Sequence, residues 1–551
     1  ANVTIMHTKF YRELVQPGEV VIGADSHTSS HGGLGAFAIG LGGADVTAAM
    51  VLGETWIEVP EAIEVDYQGA LPVGLGGKDV ILKTLGALGR NTVAMERSVE
   101  FRGEAAHTFS TDMRFTICNM TAEFGGLNGI FEADPIVADW LSRRRRGYND
   151  GARYFRADDD APYAARYPID LASLAPQVAR PFSPDNVFDV TAVAGQEMQG
   201  AFIGACTTTE EELALAALVL EVALADGQQP VEAPAGHRLV VPGDLWIQQH
   251  FQQEGLWDIY QRAGFTVDPP GCSMCLGIAS RKAGKGEVWL SSQNRNFENR
   301  MGEGSLAWLA SAATVAASSF GMRVTDPRAL LDRVDRDRLD AILLRKRHTV
   351  APEVTYHEPE IEAQASRVAG KHGATAGGTV RGTVQRFGDS VDTDAIIPGE
   401  FCHLTDLTEL GDKCFYYVRP EFRERAREGA TIVVAGEGWG SGSSREMAVW
   451  ALQGAGIQVV IARSYAFIHK RNLVNEALPY LVITDDAFYA LAEEGAELAV
   501  DLATGTVTHV ASGRTFQAQT PSPMIQNLTA EGGLVEAVKR HGKDVFATLT
   551  A

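Results

Sequence analysis

Cysteine is scarce in this sequence, with six residues in a chain of 551. That number is too small for a disulfide scaffold and favours a reducing compartment: the cytoplasm or, in a eukaryote, the mitochondrial matrix. Long apolar runs are missing as well, since no stretch reaches the length that a membrane-spanning helix needs. The start shows no charged segment followed by an apolar one, so it predicts no secretory signal. We therefore expect neither a secreted scaffold nor a membrane protein.

Positive charge is in deficit: 48 Lys and Arg face 70 Asp and Glu, which gives a net charge of −22. This balance argues against a general nucleic-acid binder. The run of four arginines at 143–146 is closely followed by acidic residues, so it predicts a solvated face. The polar stretch from Leu141 to Asp170 predicts surface or a connection between domains.

Glycine, by contrast, is abundant at 57 residues, and many lie in the segment ADSHTSSHGGLGAFAIGLGG after a predicted buried strand at Val20–Gly23. Such a composition is typical of loops in which backbones approach closely. Strand-like and helix-like segments then alternate, which predicts an α/β fold, and the length predicts several domains. We predict a body over 1–345, a linker over 346–378, where periodicity is lost, and a C-terminal α/β domain over 379–551.

The motif GCSMCLG carries Cys272 and Cys275 two residues apart. The spacing alone is weak evidence, because zinc sites, redox pairs and iron–sulfur clusters all use it. A structural zinc ion needs a second ligand pair at short spacing, and none follows. Cys206 lies between the strand-like FIGA and a helix-like segment, and it brings the number of thiolates to three. Three is one fewer than a fully ligated 4Fe–4S cluster requires, which leaves one iron open.

Seven motifs follow one another along the chain: GADSHTSSHGGLGAFAIGLGGADV, TICNMTAEFGG, IGACTTT, GCSMCLG, NRNFENR, VDTDAIIP and GEGWGSGSSREMA. In this order the chain resembles the aconitase and isopropylmalate isomerase family of hydro-lyases, with the large and small parts fused. The resemblance implies three α/β domains around an iron–sulfur cluster and a swivelling C-terminal β/α domain. It also implies that Cys206, Cys272 and Cys275 hold a 4Fe–4S cluster whose fourth iron binds substrate. The remaining cysteines are predicted to be buried structural thiols: Cys118, Cys402 and Cys414.

The segment GSGSSRE precedes a helical pattern. Its residues alone predict a glycine-rich turn in which Ser443 or Ser444 caps the helix. The resemblance implies instead that Ser443 acts as the catalytic base, with Ser444 as the next candidate. A serine alkoxide is strongly disfavoured in water, so backbone N–H groups and Arg445 must stabilise it. Arg445 would also clamp a substrate carboxylate.

The motif NRNFENR contains Asn294, Arg295 and Arg300. An exposed basic patch is one interpretation of it. The other is a carboxylate clamp, because a planar guanidinium binds a carboxylate through two parallel hydrogen bonds. The resemblance places these residues around the cluster and the substrate.

Proton handling is assigned by the resemblance to two pairs, His7 with Asp25 and His27 with Glu123. A carboxylate beside an imidazole fixes its tautomer, which suits proton transfer to a departing hydroxide. Asn119 precedes Glu123 by four residues and shares a face with it if the stretch is helical. Further positions match active-site residues of the family: Ser26, Thr393 and Asp394.

Three departures from the family pattern stand out. The family carries a further Asp–His pair upstream of the point where this chain begins, so we expect an N-terminal segment to be missing from it. Thr208 stands where Asn is usual, and Met447 stands where His is usual. Neither substitution deletes a group that the chemistry requires.

These observations predict a hydro-lyase that reversibly dehydrates a small hydroxy di- or tricarboxylic acid, of the aconitase or isopropylmalate dehydratase type. The alternatives are a regulatory or binding protein without catalysis, a dehydratase holding another metal, and a dehydratase for a less common malate-type acid. His403, in GEFCHLTD, matches a loop that reads the variable arm of the substrate in relatives. A solvent-exposed His403 in a drifting loop is the other interpretation of that position.

Overall fold

The computed structural model describes most of the chain, in two units that alternate along the sequence. One unit comprises Ala1–Val21, His27–Ile39 and Pro60–Pro359, and the other comprises Ile22–Ser26, Gly40–Val59 and Glu360–Ala551. We call them the first and the second unit. The described residues are 4–144, 151–277, 281–345, 352–358, 378–519 and 521–550.

Twenty strands form four sheets over these residues. The two-stranded and four-stranded sheets contain Val20–Gly23 (β1), Phe37–Gly40 (β2), Ala62–Gln68 (β3), Ser98–Arg102 (β4), Asn128–Phe131 (β5) and Ala165–Asp170 (β6). The first seven-stranded sheet contains Gln177–Ala179 (β7), Val187–Asp189 (β8), Gly200–Ile203 (β9), Arg238–Val240 (β10), Thr266–Val267 (β11), Val288–Ser291 (β12) and Leu306–Ala310 (β13). The second contains Thr379–Arg386 (β14), Ile432–Val434 (β15), Val459–Ala462 (β16), Tyr480–Val482 (β17), Glu497–Asp501 (β18), Thr506–His509 (β19) and Thr515–Gln517 (β20).

The first unit has two sheets with parallel cores. The four-stranded sheet has the order β5-β4-β3-β6 and is parallel throughout. The seven-stranded sheet has the order β11-β10-β9-β12-β13-β7-β8, parallel as far as β13 and antiparallel beyond it. Central parallel strands covered on both faces read as continuous apolar runs, and all four residues of β9 are buried. Gly200 is required there, because a Cβ atom would lie 2.2 Å from the ring of Trp289.

Helices of the first unit cover these sheets. The longest, Glu210–Ala225, begins with three glutamates, which suit the positive end of a helix dipole. Its Leu and Ala side chains form the main core with the seven-stranded sheet. The other helices are Met6–Glu13, Gly77–Leu88, Thr111–Asn119, Thr121–Phe124, Pro135–Arg144, Val190–Val193, Leu245–Gln253, Leu256–Arg262, Ala312–Ser319, Arg328–Leu331 and Arg336–Ile342.

The second unit is built on the sheet β17-β16-β15-β14-β18-β19-β20, in which β14 to β17 are parallel and β18 to β20 are antiparallel. Two apolar clusters pack in this unit. Its helices are Gly43–Leu52, Thr393–Ile396, Leu407–Gly411, Phe422–Arg427, Met447–Gly454, Phe467–Asn475, Asp486–Tyr489, Pro523–Ala530, Leu534–His541 and Val545–Thr550.

In the two units together, 3₁₀ helices occupy Ser26–Leu34, Ala106–Thr108, Ser273–Leu276, Gly399–Phe401 and Gly542–Asp544. No helix among the described residues is both long and apolar enough to cross a membrane.

The α/β class predicted from the alternation is confirmed, but two local predictions were wrong. The strand at Val20–Gly23 exists, yet it is not buried, and Val20 is 66% exposed. Cys402 is only half-buried, whereas Cys118 and Cys414 are buried as expected. The stretch from Leu141 to Asp170 begins as the end of a helix and closes with strand β6, and most of its described residues are half-buried or exposed, as a surface segment requires.

The arginine run is not simply a solvated face. The side chain of Arg144 is 3% exposed, and its Nη2 lies 2.8 Å from Glu210 Oε2, a partner 66 positions away in the sequence. Arg12 Nη1 lies 2.8 Å from the same oxygen. Arg145 and Arg146, and most of the expected linker, lie outside the described residues.

Candidate active site

Three loops of the first unit that carry predicted site residues follow strands of the parallel part of the seven-stranded sheet. Cys206 follows β9, the pair Cys272 and Cys275 follows β11, and Asn294 follows β12. Because the carboxyl ends of parallel strands lie at the same edge of a sheet, the fold brings these loops together, as in other open α/β sheets that bind ligands there.

The thiol of Cys206 lies at the centre of a group of amides. Its Sγ accepts from Asn119 Nδ2 at 3.2 Å and from Asn294 Nδ2 at 3.3 Å. The Asn294 amide also lies 3.2 Å from Asn119 Oδ1 and 2.8 Å from His27 Nε2. Asn294 therefore joins the thiol to the histidine.

Cys275 lies beside the same asparagine. Its Sγ is 3.5 Å from Asn294 Oδ1 and 3.9 Å from Arg300 Nη2. Cys275 and Arg300 are both buried, whereas Cys272, three residues earlier in the same turn, is exposed. The turn is held by the Cys275 amide, which donates to the Cys272 carbonyl at 3.1 Å.

A buried charged group adjoins the thiols. Glu123 Oε1 lies 2.6 Å from Arg295 Nε and 3.1 Å from His27 Nε2, and all three side chains are buried. Burial by itself raises the pKa of Glu123, but the charges of Arg295 and His27 outweigh it and lower the pKa to about 2. His27 Nε2 thus has an acceptor in Glu123 when it is protonated and a donor in Asn294 when it is not.

His7 belongs to the same unit and is 4% exposed. Its ring centroid lies 6.5 Å from that of His27 and 5.8 Å from that of His31. The helix Met6–Glu13 therefore brings a second imidazole close to the one that contacts Glu123.

In the second unit, the loop after β15 contains the GSGSSRE segment, and the loop after β14 contains Thr393 and Asp394. These two strands are parallel neighbours, so their loops meet. The Ser443 amide donates to Thr393 Oγ1 at 2.9 Å. Arg445 Nη1 lies 2.5 Å from Asp394 Oδ1 and 3.2 Å from the Ile397 carbonyl.

Backbone conformation shapes this loop. Gly440 and Gly442 have φ values of 77° and 102°, a region in which side chains are strained. A Cβ atom at Gly440 would lie 2.2 Å from the buried ring of His469. Both glycines are thus needed for the loop to lie where it does.

The serines of the loop do not cap a helix. The following helix begins at Met447 and its N-cap is Glu446, which makes no side-chain capping bond. Ser444 Oγ donates instead to the Ala24 carbonyl at 3.0 Å, and Ser443 is half-buried. The cap predicted from the residues alone was wrong, because two further residues separate the serines from the first helical turn.

The comparisons with known proteins agree on the family. A sequence model described as the aconitase family (aconitate hydratase) matches residues 1–321, and one described as the aconitase C-terminal domain matches residues 378–485. The chain belongs to the aconitase family. The resemblance drawn from the motifs is thereby confirmed, and this is a family of hydro-lyases.

Three curated relatives of this aconitase-family chain have informative names. Aconitase htyD of Aspergillus rugulosus is 43% identical over 593 residues, covering 100% of this chain and 66% of the relative. The 3-isopropylmalate dehydratase large subunit gloJ of Glarea lozoyensis is 41% identical, covering 100% and 68%. The mitochondrial homoaconitase of Eremothecium gossypii is 30% identical, covering 95% and 80%. The chain thus spans about two thirds of the length of the first two relatives.

The thiols of this aconitase-family chain fit an iron–sulfur cluster. The amide N–H groups of Asn119 and Asn294 point at Cys206 Sγ, and such donors stabilise a thiolate or a sulfide. Among the described residues, no three His, Cys, Asp or Glu side chains could hold a single metal ion. Cluster ligands need not meet at one point, because each thiolate binds a different iron.

The predicted site residues fall into two sets. The first unit holds the cysteines Cys206, Cys272 and Cys275 together with His7, His27, Asn119, Glu123, Asn294, Arg295 and Arg300. The second unit holds Asp25, Ser26, Thr393, Asp394, His403, Ser443, Ser444 and Arg445. His403 is exposed, and its Nδ1 lies 2.7 Å from the Glu400 carbonyl.

Asn119 contacts Asn294 and Glu123 contacts His27, but the two residues do not share the helical face that was predicted for a helical stretch. They lie on two short helices that are separated at Met120. Asn119 lies at the end of the first helix and Glu123 within the second.

One residue of the site was missed from the sequence. Lys78 is fully buried, and its Nζ contacts the Gln293 carbonyl at 3.0 Å and Met120 Sδ at 3.3 Å. The signal available was a lysine in the first turn of a helix pattern, GKDVILKTLGAL, that mixes apolar residues with other charged and polar ones. A lysine there would ordinarily be interpreted as exposed.

Proposed function

We propose that this chain is an iron–sulfur-dependent hydro-lyase that reversibly removes water from a hydroxy di- or tricarboxylic acid, with net isomerisation through the alkene. The observation that carries the proposal is the group around Cys206: a thiol that accepts from the amides of Asn119 and Asn294, next to the buried His27, Glu123 and Arg295. Family membership supports the same reaction class.

The 4Fe–4S cluster would be held by Cys206, Cys272 and Cys275. When bound, it supplies a Lewis acid that weakens the bond to the departing hydroxyl. The chain's own residues provide the proton transfers and the binding of carboxylates.

The proton of the departing water is assigned to His27. Its Nε2 has Glu123 on one side and Asn294 on the other, so both protonation states are stabilised. Because the pKa of Glu123 is lowered to about 2, this carboxylate stays ionised and supports a protonated His27. His7 and Asp25 form the second predicted pair and are proposed to assist this transfer.

The carbon-bound proton is assigned to Ser443. Its hydroxyl lies in a loop held by the Thr393 side chain, with Arg445 two positions further on. A cationic neighbour stabilises the alkoxide form that abstraction requires. Ser444 is less suited, because its hydroxyl already donates to the Ala24 carbonyl.

Substrate carboxylates are assigned to Arg300 and Arg445, with the outer N–H groups of Arg295, whose Nε is held by Glu123. Asp394 shares the Arg445 guanidinium at 2.5 Å, so it fixes the orientation of that clamp. Orienting roles are proposed for Asn119 in the first unit and for Ser26, Thr393 and Asp394 in the second.

His403 is proposed to contact the variable arm of the substrate. Its ring is exposed, and its Nδ1 is held by the Glu400 carbonyl, so its Nε2 side is the one proposed to contact the substrate. A His is shorter than Arg, and its ring offers both a hydrogen-bonding nitrogen and apolar carbon atoms, so it suits both a polar and an apolar arm. Comparing His403→Arg and His403→Val on several acids tests this, and unchanged relative kcat/KM values would overturn it.

The reaction is tested by anaerobic reconstitution with iron and sulfide, followed by alkene absorbance on citrate, 3-isopropylmalate and homocitrate. These acids correspond to the names of the relatives. We expect turnover of at least one acid of this class. A reconstituted protein that binds the cluster but forms no alkene from any hydroxy acid would contradict the proposal.

A further inference from the structure

Lys78 occupies a position that is costly in two ways. It is fully buried, and burial in a medium of low polarity disfavours an ammonium group. It is also the second residue of the helix Gly77–Leu88, where the helix dipole is positive and repels a cation. Favourable interactions of the ammonium must therefore offset both its desolvation and its repulsion by the helix dipole.

The contacts of its ammonium show two such interactions. Nζ donates to the Gln293 carbonyl at 3.0 Å, directly before Asn294. It also contacts Met120 Sδ at 3.3 Å, directly after Asn119. One cation therefore ties together the two chain segments whose amides point at Cys206 Sγ.

The surrounding charges are negative. Burial lowers the pKa of Lys78 to about 8, and four acidic side chains oppose this by favouring the charged form. They are Glu212, Glu123, Cys206 and Cys275. Nζ contacts the Gln293 carbonyl and Met120 Sδ, whereas Glu212 interacts with the backbone N–H groups of Lys78 and Ala312. The ammonium therefore contacts the segments that bear Asn119 and Asn294. Its interaction with the thiols of Cys206 and Cys275 is electrostatic.

We propose that Lys78 is a positioning residue of the cluster site. It fixes the backbone segments that bear Asn119 and Asn294. It also supplies a buried positive charge that interacts with Glu212 and Glu123 and with the thiols of Cys206 and Cys275. This rests on the proposed function, because it concerns the same three-thiol site.

The first test uses iron-free protein, so it does not depend on the cluster. Lys78→Met keeps most of the side-chain volume and removes the charge. We expect amide hydrogen exchange in segments 117–121 and 291–296 to become at least about tenfold faster, because their shared anchor is lost. Lys83→Met, on the same helix but half-exposed, should leave both segments unchanged. Unchanged exchange in Lys78→Met would overturn the positioning role.

The second test uses reconstituted protein and reports on charge. Loss of a nearby positive charge makes the cluster harder to reduce. We therefore expect the equilibrium constant for reduction of the cluster to be about tenfold smaller in Lys78→Met, which lowers its reduction potential by about 59 mV for one electron. Lys78→Arg should restore the potential, and Lys83→Met should not alter it. Identical potentials in wild type and Lys78→Met would overturn the charge role.

Two further outcomes are decisive. If Lys78→Met and Lys78→Gln both prevent the iron-free chain from folding while Lys83→Met folds, Lys78 is a core residue and the proposal is wrong. If wild-type protein takes up no iron or sulfide, the proposed function fails, while hydrogen exchange still decides the positioning role.

Discussion

The two sets of site residues are built by different physical means. In the first unit, Glu123 and Arg295 are 1% and 2% exposed and form an ion pair with each other. In the second unit, Ser443 is half-buried, its backbone amide donates to the Thr393 side chain, and Gly440 and Gly442 have left-handed conformations. The buried ion pair makes Glu123 and Arg295 part of the core, whereas Ser443 lies on a partly exposed loop. Substitution of Glu123 or Arg295 should therefore affect folding and chemistry together, and substitution of Ser443 chemistry alone.

The largest effect is expected at the cysteines. Cys272→Ser should abolish the visible absorbance and most of the iron content of the reconstituted protein, because a serine oxygen replaces a soft thiolate ligand. Cys402→Ser changes another accessible thiol and should leave both measurements unchanged. Full iron content in Cys272→Ser would remove this residue from the ligand set.

The second unit is tested by Ser443→Ala. We expect turnover to fall by about 10²–10⁴, the usual effect of losing a general base, with iron content and thermal midpoint unchanged. Ser444→Ala is the matched control and should lose less activity, since its hydroxyl bonds to the Ala24 carbonyl. If Ser444→Ala loses more activity than Ser443→Ala, the base is Ser444.

The first unit is tested by Glu123→Gln in iron-free protein. Removing one partner of a buried ion pair leaves Arg295 uncompensated, which costs about 3–5 kcal/mol of stability. Urea denaturation measures the loss. Glu497→Gln breaks the exposed pair with Arg381 in the second unit and should barely move the midpoint. Equal shifts for the two variants would contradict the contrast between the units.

The pH dependence of the Glu123 effect has a definite sign. The folded-state pKa of about 2 lies below the value of about 4.3 in an unfolded chain. The stabilisation by ionised Glu123 is therefore complete above about pH 4.3 and is lost as the pH falls toward 2. The difference between wild type and Glu123→Gln should shrink over that window.

A further comparison concerns His469, the buried imidazole of the second unit. Burial lowers its pKa to about 3, below the 6.5 of an unfolded chain. The contribution of neutral His469 to the free energy of unfolding is complete above about pH 6.5. As the pH drops from there toward 3, this contribution falls by at most about 1.4 kcal/mol per pH unit. His469→Phe should flatten this slope in urea titrations, whereas His403→Gln, at an exposed position, should not. An unchanged slope in His469→Phe would show that another group titrates.

Much of the protein could be predicted from local sequence. The α/β class followed from alternating segments, and Cys206 lies, as expected, between a buried strand and a helix that begins with glutamates. The contact between His27 and Glu123, 96 residues apart, was expected only because the motifs resemble a family. Periodicity and spacing alone carry no information about such a pair.

Only the tertiary structure decided which polar residues are buried. Arg144 was interpreted as exposed, yet it pairs with Glu210 inside the first unit. Lys78 is hidden because Gln293 and Met120, 215 and 42 positions away, supply the partners of its ammonium. Sequence determines the local elements and the chemical groups that they carry. Whether a charged group is buried depends on partners from distant segments, which meet only when the sheets and helices pack, because desolvation must be offset by contacts that no local pattern encodes.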